Sequence, residues 1–118
     1  MTIHCYIDGA ARPNPGKGGI GVVIQGESWD YTISKPIDGE KVSSNQAEYS
    51  AVIEALEELG KNKLYDQDII IYSDSQLVVE QMSGRTGVKR GAYVRHYDRA
   101  IELMWRFSKL SFCWIPRE

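Results

Sequence analysis

The fold is decided by the stretch IHCYIDG, residues 3–9, and by the glycine- and proline-rich segment that follows it as far as Gly21. Residues 3–7 are apolar or aromatic apart from His4, and such a run bounded by turn residues predicts a strand covered on both faces. Asp8 ends this predicted strand, where a carboxylate is costly to bury unless a hydrogen-bond network, a basic side chain or a metal ion pairs with it. Gly9 allows a backbone or a ligand to approach closely.

Composition limits the classes of protein to consider. The chain has 118 residues, 42% of them hydrophobic, so we predict one domain over residues 1–118. It has no apolar run of about 18 residues and no basic segment followed by an apolar one at the N-terminus, so we expect a cytoplasmic protein without a membrane partner. A net charge of −2 and a pI near 5.7 argue against binding nucleic acid by bulk charge, so any such contact must be local.

Cysteine and aromatic residues suggest core positions. Cys5 and Cys113 lie in apolar runs that suit reduced, buried thiols, although the sequence leaves their pairing open, and their spacing is not that of a metal site. Three aromatic residues near the C-terminus are predicted to belong to the core rather than to stack on bases: Trp105, Phe112 and Trp114.

Hydrophobic periodicity predicts an α/β fold with a five-stranded sheet of mixed direction. Residues 20–25 and 29–33 read as an antiparallel hairpin that a loop at 36–40 follows. Ser43 or Ser44 caps a helix that Gly60 ends. The later elements are a strand at 68–73, helices at 75–82 and 92–107, a loop at 84–91 between them, and a strand at 110–115. Strands joined by helical crossovers are expected to be parallel.

Three carboxylates stand at the ends of predicted elements. Asp8 ends the first strand, Asp74 follows the strand at 68–73, and Glu48 starts the first helix on or beside its apolar face. In open α/β sheets a crevice forms outside the carboxyl ends of the strands, so the three groups are expected to converge. Each acid alone also has a structural explanation, as a turn aspartate, a first-turn glutamate or a helix cap.

Converging carboxylates repel one another unless cations lie between them. Oxygen-only donors favour Mg²⁺ or Mn²⁺ over zinc, which prefers histidine or cysteine. Such cations, held by a few carboxylates, are the usual apparatus of phosphoryl transfer. The three acids therefore predict a metal-dependent phosphoryl-transfer site.

Three motifs in order resemble type I ribonuclease H. They are YIDGA at 6–10 with NPGKGGIG at 14–21, SSNQAEY at 43–49, and YSDSQLV at 72–78. The resemblance spans residues 3–115 and implies a ribonuclease H-like fold. It further implies endonucleolytic hydrolysis of the RNA strand of RNA/DNA hybrids, which leaves a 5′-phosphate and a 3′-hydroxyl.

The resemblance also implies roles for individual residues. Asp8, Glu48 and Asp74 are similar to the family's catalytic, metal-binding acids, with Gly9 as a further metal contact. They would hold two Mg²⁺ ions, for which Mn²⁺ could substitute, with Asp8 as the bridging ligand. Contacts to the hybrid are implied for Asn14, Ser43, Ser44, Asn45 and Gln46. Without the resemblance, a turn residue for Asn14 and a helix cap for Ser43 or Ser44 are the favoured explanations.

The chain departs from the family pattern in three places. Residues 82–93 leave no room for the basic helix and loop by which many bacterial members hold substrate, which resembles the compact forms. Ser44 stands where many members have asparagine. After the last predicted strand, Glu118 comes too soon to serve as the family's fourth acid, so we expect a C-terminally short domain with impaired activity or altered metal preference. We expect a monomer, or a dimer if apolar surface is left uncovered.

Two alternatives remain open from the sequence. The chain could be a hybrid-binding module that is catalytically weak or inactive without the downstream element. It could instead be another nuclease or strand transferase of the same superfold, because one fold hosts several phosphoryl-transfer reactions.

Overall fold

The computed structural model describes residues 2–88 and 90–117. Its elements, in chain order, are β1 Thr2–Arg12, β2 Gly16–Gln25, β3 Asp30–Val42, α1 Ser44–Lys61, β4 Asp68–Ser73, α2 Gln76–Met82, α3 Val94–Met104 and β5 Leu110–Trp114. The strands form one sheet in the order β3-β2-β1-β4-β5. The pairs β1–β2 and β2–β3 are antiparallel, whereas β1–β4 and β4–β5 are parallel. This arrangement confirms the predicted five-stranded mixed sheet.

The first hairpin is longer than its glycines and prolines suggest. β1 and β2 pair continuously from His4 opposite Gln25 to Arg12 opposite Lys17. Asp8 pairs with Gly21 near the middle of β1, so the prediction that Asp8 ends the strand is wrong. Glycine signals turns because it tolerates positive φ, but it also takes extended conformations, and here the ladder to β1 holds it extended. Only residues 13–15 separate the two strands.

β3 also extends beyond its predicted end. The predicted loop at 36–40 belongs to the strand, and Pro36 pairs with Gly19 of β2. β3 lies at the edge of the sheet, where proline is tolerated because no further strand pairs with the outer side of β3 and needs an N–H donor there.

The core occupies one face of the sheet, and helices cover it. β1 contributes alternate residues to this core, Ile3, Cys5 and Ile7, and α1 packs its buried side against them. On the other face of the sheet, the Tyr6 and Tyr72 rings stack with centroids 4.6 Å apart. The prediction that the strand at residues 3–7 is covered on both faces is therefore wrong, because the side chains of β1 alternate between the two environments, as do those of β4.

α1 begins with the predicted serine cap. The Ser43 hydroxyl oxygen accepts the Gln46 amide N–H at 3.1 Å, and the Gln46 side-chain oxygen accepts the Ser43 N–H at 2.7 Å. This reciprocal pair is a capping box. Among the described residues, no helix has both the length and the apolar character needed to cross a membrane.

Three residues that were predicted to be buried are exposed, namely Trp105, Trp114 and Cys113. Trp105 is 78% exposed and Trp114 is 48% exposed, whereas Phe112 is buried as predicted. Trp105 follows α3, whose buried side carries Ala100 and Leu103, and two residues beyond Leu103 is about 200° around a helix. Cys113 is also exposed, because it alternates with Phe112 along β5 and faces the other side of the sheet.

Candidate active site

The structure brings the three predicted acids together. Carboxylate oxygens of Asp8, Glu48 and Asp74 all lie within 4.8 Å of one another. Asp8 comes from the middle of β1, Glu48 from the first turns of α1, and Asp74 directly follows β4. Three elements that are far apart in sequence thus supply one acidic cluster.

Gly9 allows α1 to approach β1 closely enough for this cluster to form. A Cβ at Gly9 would lie 2.2 Å from the Ala47 carbonyl oxygen, which no side chain tolerates. The Gly9 N–H donates to the Glu48 carboxylate at 3.2 Å. Gly9 therefore positions Glu48, and the prediction that Gly9 contacts a metal remains a prediction.

Glu48 is the buried member of the cluster, with only 4% of its surface exposed. The Ser73 hydroxyl donates to its second carboxylate oxygen at 3.3 Å. Burial, together with the negative charges of Asp74 and Asp8, raises the pKa of Glu48 to about 7, against the opposing effect of the Gly9 hydrogen bond. Glu48 can therefore bind a proton near neutral pH when no cation is present.

Asp74 is not a helix cap. Ser75 caps α2, because its hydroxyl oxygen accepts the Val78 N–H at 3.3 Å. The Ser75 N–H in turn donates to the Ser73 hydroxyl oxygen at 3.0 Å. The structural explanation left open for Asp74 is thereby removed, and its carboxylate is directed to the acidic cluster.

Arg117 is a member of the site that the sequence interpretation missed. Its Nε donates to the Asp74 carboxylate at 2.7 Å, and its terminal nitrogen lies 3.7 Å from an Asp8 oxygen. The Trp114 indole N–H donates to the Asp74 carbonyl oxygen at 3.2 Å, which ties this segment to the site. The predicted topology could have indicated this contact. Because β5 runs parallel to β4, the residues that follow the two strands, including Asp74 and Arg117, lie at the same edge of the sheet.

The residues predicted to contact a hybrid lie around the start of α1. The Asn14 side-chain oxygen accepts the Ser44 N–H at 3.0 Å, which fixes the β1–β2 turn to the helix. Gln46, besides its part in the capping box, donates its side-chain N–H to the Ala92 carbonyl at 3.2 Å. Asn45 lines the cleft beside the acids. The structural roles are thus visible, and the hybrid contacts of all five residues remain predictions.

One cleft of about 280 Å³ joins the acids to this rim. Its lining includes Glu48 and Asp74 together with Arg12, Ser44 and Arg117. The cleft therefore places guanidinium groups and helix-start polar groups around a negatively charged centre.

The donor set suits a hard divalent cation. The described cluster offers only carboxylate oxygens, the ligands that Mg²⁺ and Mn²⁺ prefer over the nitrogen and sulfur donors of zinc sites. Within residues 2–88 and 90–117, the cluster holds three acids. Glu118, the residue considered for a fourth acid, lies outside the described residues.

Comparisons with known proteins match almost the whole chain. The family model described as "Reverse transcriptase-like" matches residues 6–118. Ribonuclease HI of Neisseria meningitidis is 37% identical over 98% of this chain and 82% of its own length. The bifunctional protein Rv2228c of Mycobacterium tuberculosis is 36% identical over 99% of this chain, which spans 32% of that protein. The chain thus covers about a third of this longer relative.

Solved structures share the fold as well as the sequence. LC11-RNase H1, solved in complex with an RNA/DNA hybrid, superposes with a TM-score of 0.86 at 38% identity, covering 98% of this chain and 86% of the other. The sequence motifs, the mixed sheet and these relatives agree. The chain therefore belongs to the type I ribonuclease H family, in the compact form that lacks the basic handle.

Proposed function

We propose that this chain hydrolyses the RNA strand of RNA/DNA hybrids, using two divalent cations held by Asp8, Glu48 and Asp74. The observation that carries the proposal is the convergence of three carboxylates within 4.8 Å in a member of the ribonuclease H family. The solved complex of LC11-RNase H1 with an RNA/DNA hybrid supports the choice of substrate.

In this proposal the acidic residues of the cluster differ in exposure and in the contacts that hold them. Asp8 is an exposed carboxylate at the mouth of the cluster, while Glu48 is buried and held by Gly9 and Ser73. Mg²⁺ or Mn²⁺ held by these carboxylates would supply Lewis-acid chemistry, by activating a water for attack and neutralising charge on the leaving oxygen. The products are a 5′-phosphate and a 3′-hydroxyl.

Selection of a hybrid requires recognition of both strands. The side chains of Asn14 and Asn45 stand at the rim of α1, where an amide can bond base edges or a 2′-hydroxyl that DNA lacks. Ser43 and Ser44 provide hydroxyls for a phosphate of the DNA strand or the minor groove. Gln46 would need to exchange its bond to Ala92 for a contact to the hybrid.

The test is cleavage of a labelled RNA/DNA hybrid in Mg²⁺ and separately in Mn²⁺. Asp8→Asn is expected to lower cleavage by at least about a thousandfold, because it removes a charged ligand from the cluster. Asp98→Asn makes the same chemical change at an exposed position of α3 and should leave the rate unchanged. Full cleavage by the folded Asp8→Asn chain would contradict the proposal.

A hybrid-binding module with little or no catalysis is the second candidate. The ion pairs of Arg117 with Asp74 and Asp8 favour it, since a resident cation competes with metal for the same oxygens. Hybrid binding without cleavage in either metal would support this second function. Cleavage of duplex DNA while the hybrid is ignored would instead support another nuclease of the superfold. A one-domain, monomeric and cytoplasmic protein remains our expectation.

A further inference from the structure

Two cations face each other at the end of the first hairpin. Arg12 and Lys17 are direct cross-strand partners in the β1–β2 ladder, and both side chains are exposed. Like charges directly opposite each other on neighbouring strands are destabilising. The pair therefore carries a cost in the folded protein that a bound anion would remove.

No acid within the described ranges, 2–88 and 90–117, forms an ion pair with Arg12 or Lys17. Two other basic residues near the sheet, by contrast, are paired with acids, although the exposed Lys41 of β3 has no ion pair within the described ranges. Lys35 lies 2.6 Å from Glu54, and Arg117 contacts the acidic cluster. The hairpin pair is thus a local positive site on a chain whose net charge is −2.

The hairpin tip is held in place before any ligand arrives. The turn is bonded to the start of α1 through Asn14 and Ser44. A Cβ at Gly16 would lie 2.4 Å from the Pro13 carbonyl oxygen, which shows how tightly the turn closes. Two cations on a fixed hairpin lose less conformational freedom on binding than cations on a mobile loop.

The cation pair lies on the same face as Asp8 and within reach of one ligand. Asp8 and Arg12 are four residues apart on β1, which places their Cα atoms about 13 Å apart on one side of the strand. The positions between them carry small residues, Ala10 and its partner Gly19. Arg12 also lines the cleft that contains Glu48 and Asp74. An extended polyanion could therefore touch the cations and the acidic cluster at once.

We propose that Arg12 and Lys17 bind backbone phosphates of the nucleic-acid substrate, a few nucleotides from the acidic cluster. The inference rests on the proposed function and extends it by naming the residues that supply affinity in a chain without the basic handle. Arg12 presents a planar group suited to two phosphate oxygens, and Lys17 adds a point charge. An acidic cluster repels a polyanion, so neighbouring cations are needed to bring the substrate to it.

The test measures binding of a fluorescent RNA/DNA hybrid at several NaCl concentrations between about 50 and 200 mM, where counterion release is readily measured. All proteins carry Asp8→Asn, so that bound hybrid is not cut. Arg12→Gln with Lys17→Gln should weaken binding by about tenfold at the lowest salt and reduce the slope of log Kd against log salt by about 1.5 to 2, because each lost phosphate contact releases one counterion fewer.

The matched control is Arg106→Gln with Lys109→Gln in the same background. These exposed cations lie at the opposite end of β5 from the acidic cluster, and their removal changes the net charge equally. An equal effect in both double variants would show a bulk-charge effect and overturn the proposal. An unchanged slope in the Arg12 and Lys17 variant, or no binding by any of the proteins, would overturn it as well.

Thermal unfolding separates this result from misfolding. Removing the like-charge pair should leave the melting temperature unchanged or raise it, because no described ion pair is lost. If the unmodified chain cleaves the hybrid but the Arg12 and Lys17 substitutions leave the salt dependence of binding unchanged, phosphate binding by this pair is refuted and the proposed function stands. If the unmodified chain binds the hybrid without cleaving it, and the Arg12 and Lys17 substitutions reduce the salt dependence of binding, phosphate binding by this pair is supported and the proposed catalysis fails.

Discussion

The two faces of β1 do different work. Ile3, Cys5 and Ile7 point to the helices and are at most 6% exposed. Tyr6 and Asp8 alternate with them and face outward, toward the aromatic stack and the acidic cluster. One strand therefore anchors the fold and presents chemistry, because successive side chains point to opposite sides. On β1, Tyr6 lies between the core residues Cys5 and Ile7, and Asp8 directly follows Ile7.

The two cysteines show the same contrast. Cys5 lies on the covered face, where burial raises the pKa of its thiol to about 12 and makes it unreactive. Cys113 is exposed on the outer face. Their side chains lie on opposite sides of the sheet, so they do not pair.

The largest loss of stability is expected from a substitution at Gly9, where the covered face of β1 contacts α1. Gly9→Ala places a Cβ against the Ala47 carbonyl, and we expect a loss of at least about 4 kcal/mol of stability because backbone must move. Urea unfolding measures it. Gly21→Ala is the control, since a Cβ there meets no described atom within 4 Å. Equal stability of the two variants would show that the close approach of β1 and α1 is not required.

A truncation on each face of β1 sharpens the contrast. Ile7→Ala should cost about 3 kcal/mol, because it removes buried methyl groups and leaves a cavity. Tyr6→Ala, at a position 38% exposed, should cost clearly less. Chemical denaturation of both variants makes the comparison. A larger loss from Tyr6→Ala would mean that the outer face contributes more to stability than its exposure indicates.

Glu48, which connects the two faces, should make the stability of the metal-free chain depend on pH. Its pKa is raised from 4.5 to about 7, so the folded state binds the proton more tightly than the unfolded state. The contribution is fully present below pH 4.5 and is lost as pH rises through 7, with a total of roughly 3 kcal/mol. Unfolding measured from pH 4.5 to 8 tests this, and Glu48→Gln should remove that part of the pH dependence.

The same titration should affect metal binding in the opposite sense. Affinity for Mn²⁺ should rise as pH increases through about 7, because the Glu48 carboxylate must lose its proton to act as a ligand. Calorimetric titration at pH 6 and pH 8 provides the measurement. Equal affinity at both values would argue that Glu48 is not a ligand.

The smallest expected effect concerns Arg117 on the outer side of the site. Arg117→Gln should raise the affinity for Mn²⁺ by up to about fivefold, because the side chain competes for Asp74 and Asp8 but is largely exposed to solvent. Arg106→Gln provides the control at a distant exposed position. Weaker metal binding after Arg117→Gln would show that the guanidinium supports the metal site instead of competing for it.

Local pattern was sufficient to predict much of this molecule. The alternation of strands and helices predicted the mixed sheet, and a serine at 43 or 44 predicted the helix start, which the structure places at the Ser43 cap. The three acids could be found because carboxylates are unusual beside apolar runs. The long hairpin was missed because Gly18 and Gly19 signal a turn locally, whereas pairing with β1 holds them in a strand.

By itself, the sequence determined the family, the order of the elements and the three acids, since these follow from motif spacing and short-range periodicity. Tertiary structure alone decided which face of each strand is covered, the position of Asp8 inside β1, the contact of Arg117 with the acids and the pairing of Arg12 with Lys17. These features depend on strand register and on contacts between residues as far apart as Asp8 and Arg117. Such contacts arise only when the sheet is assembled, because no local pattern encodes which distant residues become neighbours.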